Sequence, residues 1–453
     1  MGLRFGTDGV RGIAGTELTP ELVLALGRAA ARVLCEAPPG RGRARLVVAR
    51  DTRRSGPLLE AAFAAGAAAE GVDVERLGVL PTPGLARVAA LEGVAAAMVS
   101  ASHNPFGDNG IKLFAPGGTK LEAGAERALE DVLEEVLRSG ARHGGRSGDE
   151  LGAIVEREAS AAAYVDALVA SFPPRSLAGL VVVVDCANGA AATVAPAALS
   201  RLGAWVEVLA DAPDGTNINA GCGSTHPEAL QAAVVAAGAD VGLALDGDAD
   251  RVLAVDGTGA LVDGDQLIAL FADDLRARGL LRNDAVAITV MSNLGLRLAL
   301  AERGIGVVET PVGDKHVLAA MRDGGLALGG EQSGHIIFSD NAMTGDGTFT
   351  GLALVDLLAR AGTPLEALAE AAMVRLPQVL RNVTVGDRDG LDAAAAVWAA
   401  VADVEAELGE HGRVLLRPSG TEPMVRVMVE APTEELASSA VDRLVAVVSD
   451  ALA

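Results

Sequence analysis

At 453 residues, 50% of them hydrophobic but only 2% aromatic, the chain holds material for about three domains, with cores packed mainly from Ala, Val and Leu. A net charge of -23 excludes general binding to nucleic acid or an anionic membrane, which needs basic surface. Three cysteines (Cys35, Cys186 and Cys222) cannot all pair and form no C-x-x-C, which fits a reducing compartment. The start carries charge early, and no apolar run reaches the roughly 18 residues that span a bilayer. A soluble, cytoplasmic protein is expected.

Phe5-Gly-Thr-Asp-Gly-Val-Arg11-Gly12 comes first. Gly6, Gly9, Gly12 and Gly15 predict a tight loop bringing backbone amides and Arg11 near an anion. Thr19-Pro20-Glu21 then opens a helix, with threonine as N-cap, that runs to about residue 36. From there a pattern recurs. A strand over 46–49 ends in Arg50-Asp51-Thr52-Arg53, and a helix over 58–70 follows. A strand over 74–79 and another helix lead to a strand over 94–99. That strand delivers Ser100-Ala-Ser102-His103-Asn104-Pro105. Asn104-Pro105 and the glycines after it favour sharp bends, so Ser102 sits in a loop built to turn.

A second block has strands over 180–184, 205–209 and 241–245, the last ending in Asp246-Gly-Asp248-Ala-Asp250-Arg251. A third has strands over 285–290, 306–309 and 326–328, the last ending in Gly330-Glu331-Gln332-Ser333-Gly334-His335. Strands alternating with helices predict parallel sheets with right-handed crossovers, and ligands then sit off the carboxyl ends of the strands. The fold expected is therefore α/β: three successive domains of mixed or parallel sheets, each offering one polar loop to a shared cleft. Residues 139–152, rich in Gly, Arg and Ser, read as a linker or an exposed loop. From about residue 376 the style changes, with strands over 378–385 and 425–430 around an Ala-rich helix over 391–408: a smaller C-terminal α+β domain. The expected domains are 1–152, 153–256, 257–375 and 376–453.

Three loops carry chemistry. Asp246, Asp248 and Asp250 would repel one another severely without a cation, and hard divalent ions take such oxygen ligands. An EF-hand is excluded because Arg251 and Gly257 occupy its glycine and glutamate positions. Mg²⁺ is favoured, since three carboxylates leave coordination sites for a phosphate. Arg417-Pro-Ser419-Gly420-Thr421-Glu-Pro423, reinforced by Arg426, is a plausible phosphate cradle. Glu331, Ser333 and His335 suit sugar hydroxyls or an amine, although an ordinary loop with a satisfied histidine accounts for them equally well. The three lysines (Lys112, Lys120 and Lys315) fit no Walker A loop, two of them lying in turn-rich loops, and no G-x-G-x-x-G follows a strand. Neighbours along an extended chain point apart, so His103 is a poor general base for Ser102 and a Ser-His-Asp hydrolase is disfavoured.

Together and in this order, these loops resemble the α-D-phosphohexomutase superfamily over essentially the whole chain. The residues carrying the resemblance are Arg4-Phe-Gly-Thr-Asp-Gly-Val-Arg-Gly12, Ser100 to Pro105, Asp108-Asn-Gly-Ile-Lys112, Asp246 to Arg251, Gly330 to His335 and Arg417 to Pro423. Asn217-Ile-Asn219, Cys222-Gly-Ser-Thr-His226 and Gln332 are similar to the branch acting on glucosamine phosphates; mannose or glucose phosphate is the alternative substrate. The resemblance implies four domains around a central cleft and interconversion of glucosamine 6-phosphate and glucosamine 1-phosphate, on the route to UDP-N-acetylglucosamine and peptidoglycan. It also implies a sugar 1,6-bisphosphate intermediate, one Mg²⁺ and possible homodimers. Residue by residue, it makes Ser102 the phosphorylated serine, with its phosphate and Asp246, Asp248 and Asp250 binding Mg²⁺. Arg251 and His103 would steady the phosphoserine, and Arg11, Lys112 and His335 would assist proton transfer. Glu331 and Ser333 would grip sugar hydroxyls, and Arg417, Ser419, Gly420, Thr421 and Arg426 would hold the non-reacting phosphate.

Overall fold

The computed structural model describes residues 9–36, 42–139, 146–419 and 423–452. Helix Pro20–Leu34 starts where Thr19 accepts the Leu22 N–H at 3.3 Å. It packs on helix Gly56–Ala69 across two glycines. A Cβ on Gly27 would lie 2.2 Å from the Phe63 carbonyl oxygen, and one on Gly66 2.1 Å from that of Leu24. Backbone approaching backbone in this way is how an Ala- and Gly-rich core reaches close packing without aromatic bulk.

The first sheet is mixed. Strands Ala95–Val99, Arg45–Arg50, Asp73–Val79 and Ile154–Glu156 are parallel, while Asp108–Ala115 runs antiparallel beside Ala95–Val99. Val10–Ile13 completes that edge, antiparallel to Asp108–Ala115. The expected glycine-rich loop around Arg11 is thus partly a strand. A Cβ on Gly9, at φ +85°, would lie 2.2 Å from the Ile111 carbonyl, so this glycine admits close strand approach rather than a turn. Residues 1–8, with the rest of that motif, lie outside the described residues.

The second sheet repeats the plan. Val241–Leu245, Val181–Asp185 and Trp205–Leu209 are parallel, and Val252–Asp256 returns antiparallel to Val241–Leu245. In the third, Leu328–Gly330 is parallel to Ala285–Thr289 and antiparallel to Ile336–Phe338. The expected mixed or parallel sheets are thus mixed in all three. In each domain the polar loop is too short for a crossover, so the chain can only fold back beside the strand it has just left. This return bends the loop sharply at the carboxyl end of a buried strand.

The described parts of residues 1–290 and 308–369 form one compact unit, and those of 291–307 and 370–453 another. The second unit has the antiparallel sheet Gln378–Thr384, Met424–Glu430, Arg413–Pro418, covered by helices Ala395–Leu408 and Glu434–Ala451. It also takes in helix Leu294–Glu302, whose start is held by Glu430. Asn293 Nδ2 donates to Glu430 Oε1 at 3.2 Å, the Leu294 N–H to Oε2 at 2.9 Å and Arg413 Nε to Oε2 at 2.7 Å. Glu430 is fully buried, so its replacement by Ala strands the Arg413 charge. A stability loss of about 3–5 kcal/mol is expected in urea unfolding of the Glu430→Ala protein. Among the described residues, no helix is long and apolar enough to cross a membrane.

Candidate active site

The strand Ala95–Val99 is wholly buried and ends at Ser100. Two residues on, Ser102 takes the left-handed conformation at φ +53°, which is costly for a residue with a Cβ. Its Oγ donates to Asp246 Oδ2 at 2.5 Å and lies 3.4 Å from His103 Nδ1. The expectation that Ser102 and His103 point apart fails here, because the left-handed turn is not extended chain and brings the two side chains together. The imidazole is pushed down to about 4 by burial and by the Arg251 and Arg11 charges, and Arg251 Nη1 sits 3.2 Å from Nδ1. His103 is therefore neutral near neutral pH.

Asp246, Asp248 and Asp250 follow the second-domain strand, all buried, with carboxylate oxygens within 4.8 Å of one another. Ala249, at φ +56°, turns the loop so that alternate carboxylates converge. Burial and the charges of Asp250 and Asp248 push the Asp246 carboxyl up to about 8. Burial also opposes ionisation of Asp250, but Lys112, His335 and Arg251 outweigh it and hold that carboxyl well below the usual range. Lys112 Nζ donates to Asp248 Oδ2 at 2.8 Å and Asp250 Oδ2 at 3.1 Å. Asp248 Oδ1 and Asp250 Oδ1 are buried without hydrogen-bond partners. Three clustered carboxylates with two oxygens to spare fit a hard divalent cation.

Lys112 does not lie in a turn-rich loop. It is on the return strand Asp108–Ala115, opposite Met98. Lys315 opens helix Asp314–Gly324 and lies 3.5 Å from Glu126. Lys120 pairs with Asp314, which lies 3.8 Å from His335 Nε2. His335 itself is 2% exposed. It accepts the Gly345 N–H at Nε2, 3.0 Å away, which leaves Nδ1 to carry the ring proton 3.8 Å from Asp250. Burial disfavours a second proton, while Asp250 and Asp314 favour it and raise the pKa on balance. The Gly345 bond acts the other way, toward the neutral ring. The same loop is anchored to the second domain by the Val252 N–H, which donates to the Gly334 carbonyl at 3.1 Å. Glu331 accepts the Gly313 N–H at 3.0 Å and the Ser333 hydroxyl at 3.2 Å.

Arg11 Nη1 lies 3.5 Å from the Ala101 carbonyl, beside the serine loop. Loops of three domains thus meet around Ser102. Asn219, one of the branch-like residues, and three residues given no role from the sequence bind them together. Thr82 donates its N–H to the Asp248 carbonyl at 3.0 Å and its hydroxyl to Asp248 Oδ2. Asn219 Nδ2 donates to the carbonyls of Ser102 and Asn104, at 2.8 and 3.1 Å. Asp51 and Arg53, at the end of the first strand, reach the same loop. Their signal was only their place at the carboxyl end of a parallel strand. Of the other branch-like residues, Asn217 bonds within its own loop and Gln332 reaches Asp263. Cys222 is buried, its thiol pushed up to about 11 by that burial.

In the C-terminal unit, Arg417 and Arg426 face each other across antiparallel strands. Like charges directly opposite destabilise a sheet unless an anion joins them. Ser419 is buried, and its carbonyl accepts from Arg388 Nη1 at 2.8 Å. Gly420 and Thr421 lie outside the described residues.

Four family models match, described as phosphoglucomutase/phosphomannomutase: alpha/beta/alpha domain I over residues 2–138, domain II over 162–259, domain III over 263–376, and the C-terminal domain over 380–447. Phosphoglucosamine mutase of Thermobifida fusca is 54% identical over 450 residues, covering 99% of this chain and 98% of that protein. The phosphoglucosamine mutase of Kineococcus radiotolerans is 52% identical over 456 residues, covering all of both. Among solved structures, a phosphoglucomutase/phosphomannomutase family protein from Burkholderia thailandensis is 27% identical with a TM-score of 0.79, covering 98% of this chain and 97% of that one. N-acetylphosphoglucosamine mutase of Aspergillus fumigatus, solved with GlcNAc-6P and magnesium, has a TM-score of 0.69 at 22% identity and covers 99% and 96%; it shares the fold.

Proposed function

The chain belongs to the phosphoglucomutase/phosphomannomutase family, and on that premise we propose that it interconverts glucosamine 6-phosphate and glucosamine 1-phosphate through phosphorylated Ser102. The observation that carries the proposal is the Ser102 hydroxyl, turned by a left-handed residue onto a buried set of three carboxylates with Lys112 beside them. Full-length relatives at 52–54% identity that bear the phosphoglucosamine mutase name support the choice of sugar.

In the proposed reaction, Ser102 phosphate passes to one hydroxyl of the sugar phosphate. The Ser102 Oγ–P bond breaks as a sugar O–P bond forms, giving a 1,6-bisphosphate. The sugar reverses, and its other phosphate returns to Ser102 Oγ. Asp246, Asp248 and Asp250 would hold Mg²⁺, which would neutralise the phosphate's about -1.5 to -2 charges beside three aspartates. Arg251 and His103, already touching the Ser102 turn, steady the phosphoserine. Lys112 balances the aspartate charge and, with Arg11 and His335, handles the hydroxyl proton. Glu331 and Ser333 bind sugar hydroxyls. Arg417 and Arg426, with Ser419, Gly420 and Thr421, hold the phosphate that is not reacting, at either end of the sugar.

The test is a steady-state comparison of glucosamine, glucose and mannose phosphates. kcat/KM is expected to favour the glucosamine phosphates by at least about tenfold, since a site that pairs an amine leaves groups unpaired around a hydroxyl. A preference for glucose or mannose phosphate would move the chain to the other branch of the same machinery.

A further inference from the structure

We propose that Arg53 is a positioning residue for phosphoryl transfer. With Asp51 it holds the Ser102 turn in one conformation whether or not the hydroxyl carries phosphate. The inference rests on the reading of Ser102 as the phosphoryl carrier.

Arg53 is 0% exposed, and all five of its guanidinium hydrogens have acceptors. Nε donates to Asp51 Oδ2 at 2.9 Å. Nη2 donates to the carbonyls of Ser102 and Asn104 at 2.9 and 2.8 Å, and Nη1 to those of Asp108, at 3.1 Å, and Pro105. Four of the five bonds therefore go to backbone of the serine loop. Asp51 reaches the other side of the same residue: Ser100 Oγ donates to Asp51 Oδ2 at 2.7 Å, and the Ser102 N–H donates to Ser100 Oγ at 2.9 Å. The carbonyl of residue 102 is held by Arg53 directly, and its N–H by Asp51 through Ser100.

A left-handed residue with a Cβ persists only where its surroundings over-determine it, and here the ion pair does so. The task also needs a cation that spends its hydrogens on carbonyls. Arg53 makes no bond to Ser102 Oγ and has no spare donor to capture the phosphate. The turn is thus fixed while the charge on Ser102 changes by nearly two units in each cycle. Lysine, with three donors from one point, cannot reproduce the fork.

Arg53→Lys is expected to lower kcat by about 100-fold, the effect of roughly an ångström of misplacement, with KM for the sugar phosphate little changed. In Arg53→Ala, millimolar guanidinium should restore part of kcat where ammonium does not, a response that a general folding defect would not give. Ser100→Ala cuts one link and leaves the buried ion pair intact, so it keeps the test open if the arginine variants do not fold; a fall of about tenfold in kcat at unchanged KM is expected. Folded Arg53→Lys and Ser100→Ala proteins turning over at the wild-type rate would overturn the proposal. A wild-type protein that transfers no phosphoryl group through Ser102 would instead overturn the reading on which it rests.

Discussion

Ser102→Ala is expected to abolish mutase turnover, with kcat falling by at least about 10⁴-fold, because the hydroxyl proposed to carry the phosphate beside the aspartates is removed. The folded protein should survive. Ser102 is held in its turn by its own backbone N–H and carbonyl, which alanine retains, and the lost side-chain bond relieves nothing and strands only one oxygen of Asp246. Circular dichroism and thermal unfolding should therefore match the wild type. Intact-mass measurement supplies the direct observation: about 80 Da added to purified wild-type protein, and absent from Ser102→Ala. Near-normal turnover by the alanine variant would dismiss Ser102 as the carrier.

Removal of the divalent ion should be nearly as severe. Chelation is expected to stop turnover and Mg²⁺ to restore it, while monovalent salt does not. Asp246 is pushed up to about 8 by burial and by its two neighbours, and Asp248 and Asp250 each keep one buried oxygen without a hydrogen-bond partner. A bound cation relieves both conditions, so Mg²⁺ should also stabilise the folded chain, by about 2.7 kcal/mol at a hundredfold excess over Kd. Asp248→Asn preserves the side-chain shape beside Thr82 but removes one charge. It should lower kcat/KM by at least about 100-fold and abolish the Mg²⁺-dependent rise in melting temperature. Full activity of this variant, or an unaltered Mg²⁺ response, would count against the three-carboxylate site. Thermal unfolding at several Mg²⁺ concentrations reads binding independently of catalysis.

These effects concern residues legible in the sequence, because each sits in a short loop of unusual composition after an apolar run. Ser102, the alternating aspartates and the Glu331-to-His335 bend could be found by local pattern, and so could the three-block repeat that carries them. The residues that hold them could not. Arg53 looks like any arginine at a strand end until the chain places the carbonyls of residues 102 to 108 around it. Thr82 is unremarkable in sequence and Asn219 is marked there only as branch-like, yet each touches a loop more than 110 residues away.

The sequence by itself marked out the polar loops proposed to carry the chemistry and the order of the α/β blocks, because hydrophobic periodicity and turn chemistry act over a few residues. Only the tertiary structure decided how those groups are aimed. The short polar loops force return strands, which put Lys112 on a strand facing Asp248 and Asp250 rather than in a loop. The left-handed turn at Ser102 brings His103 toward the hydroxyl instead of away from it. Both outcomes depend on hydrogen bonds and charges contributed by distant segments, and no local pattern encodes where those will be.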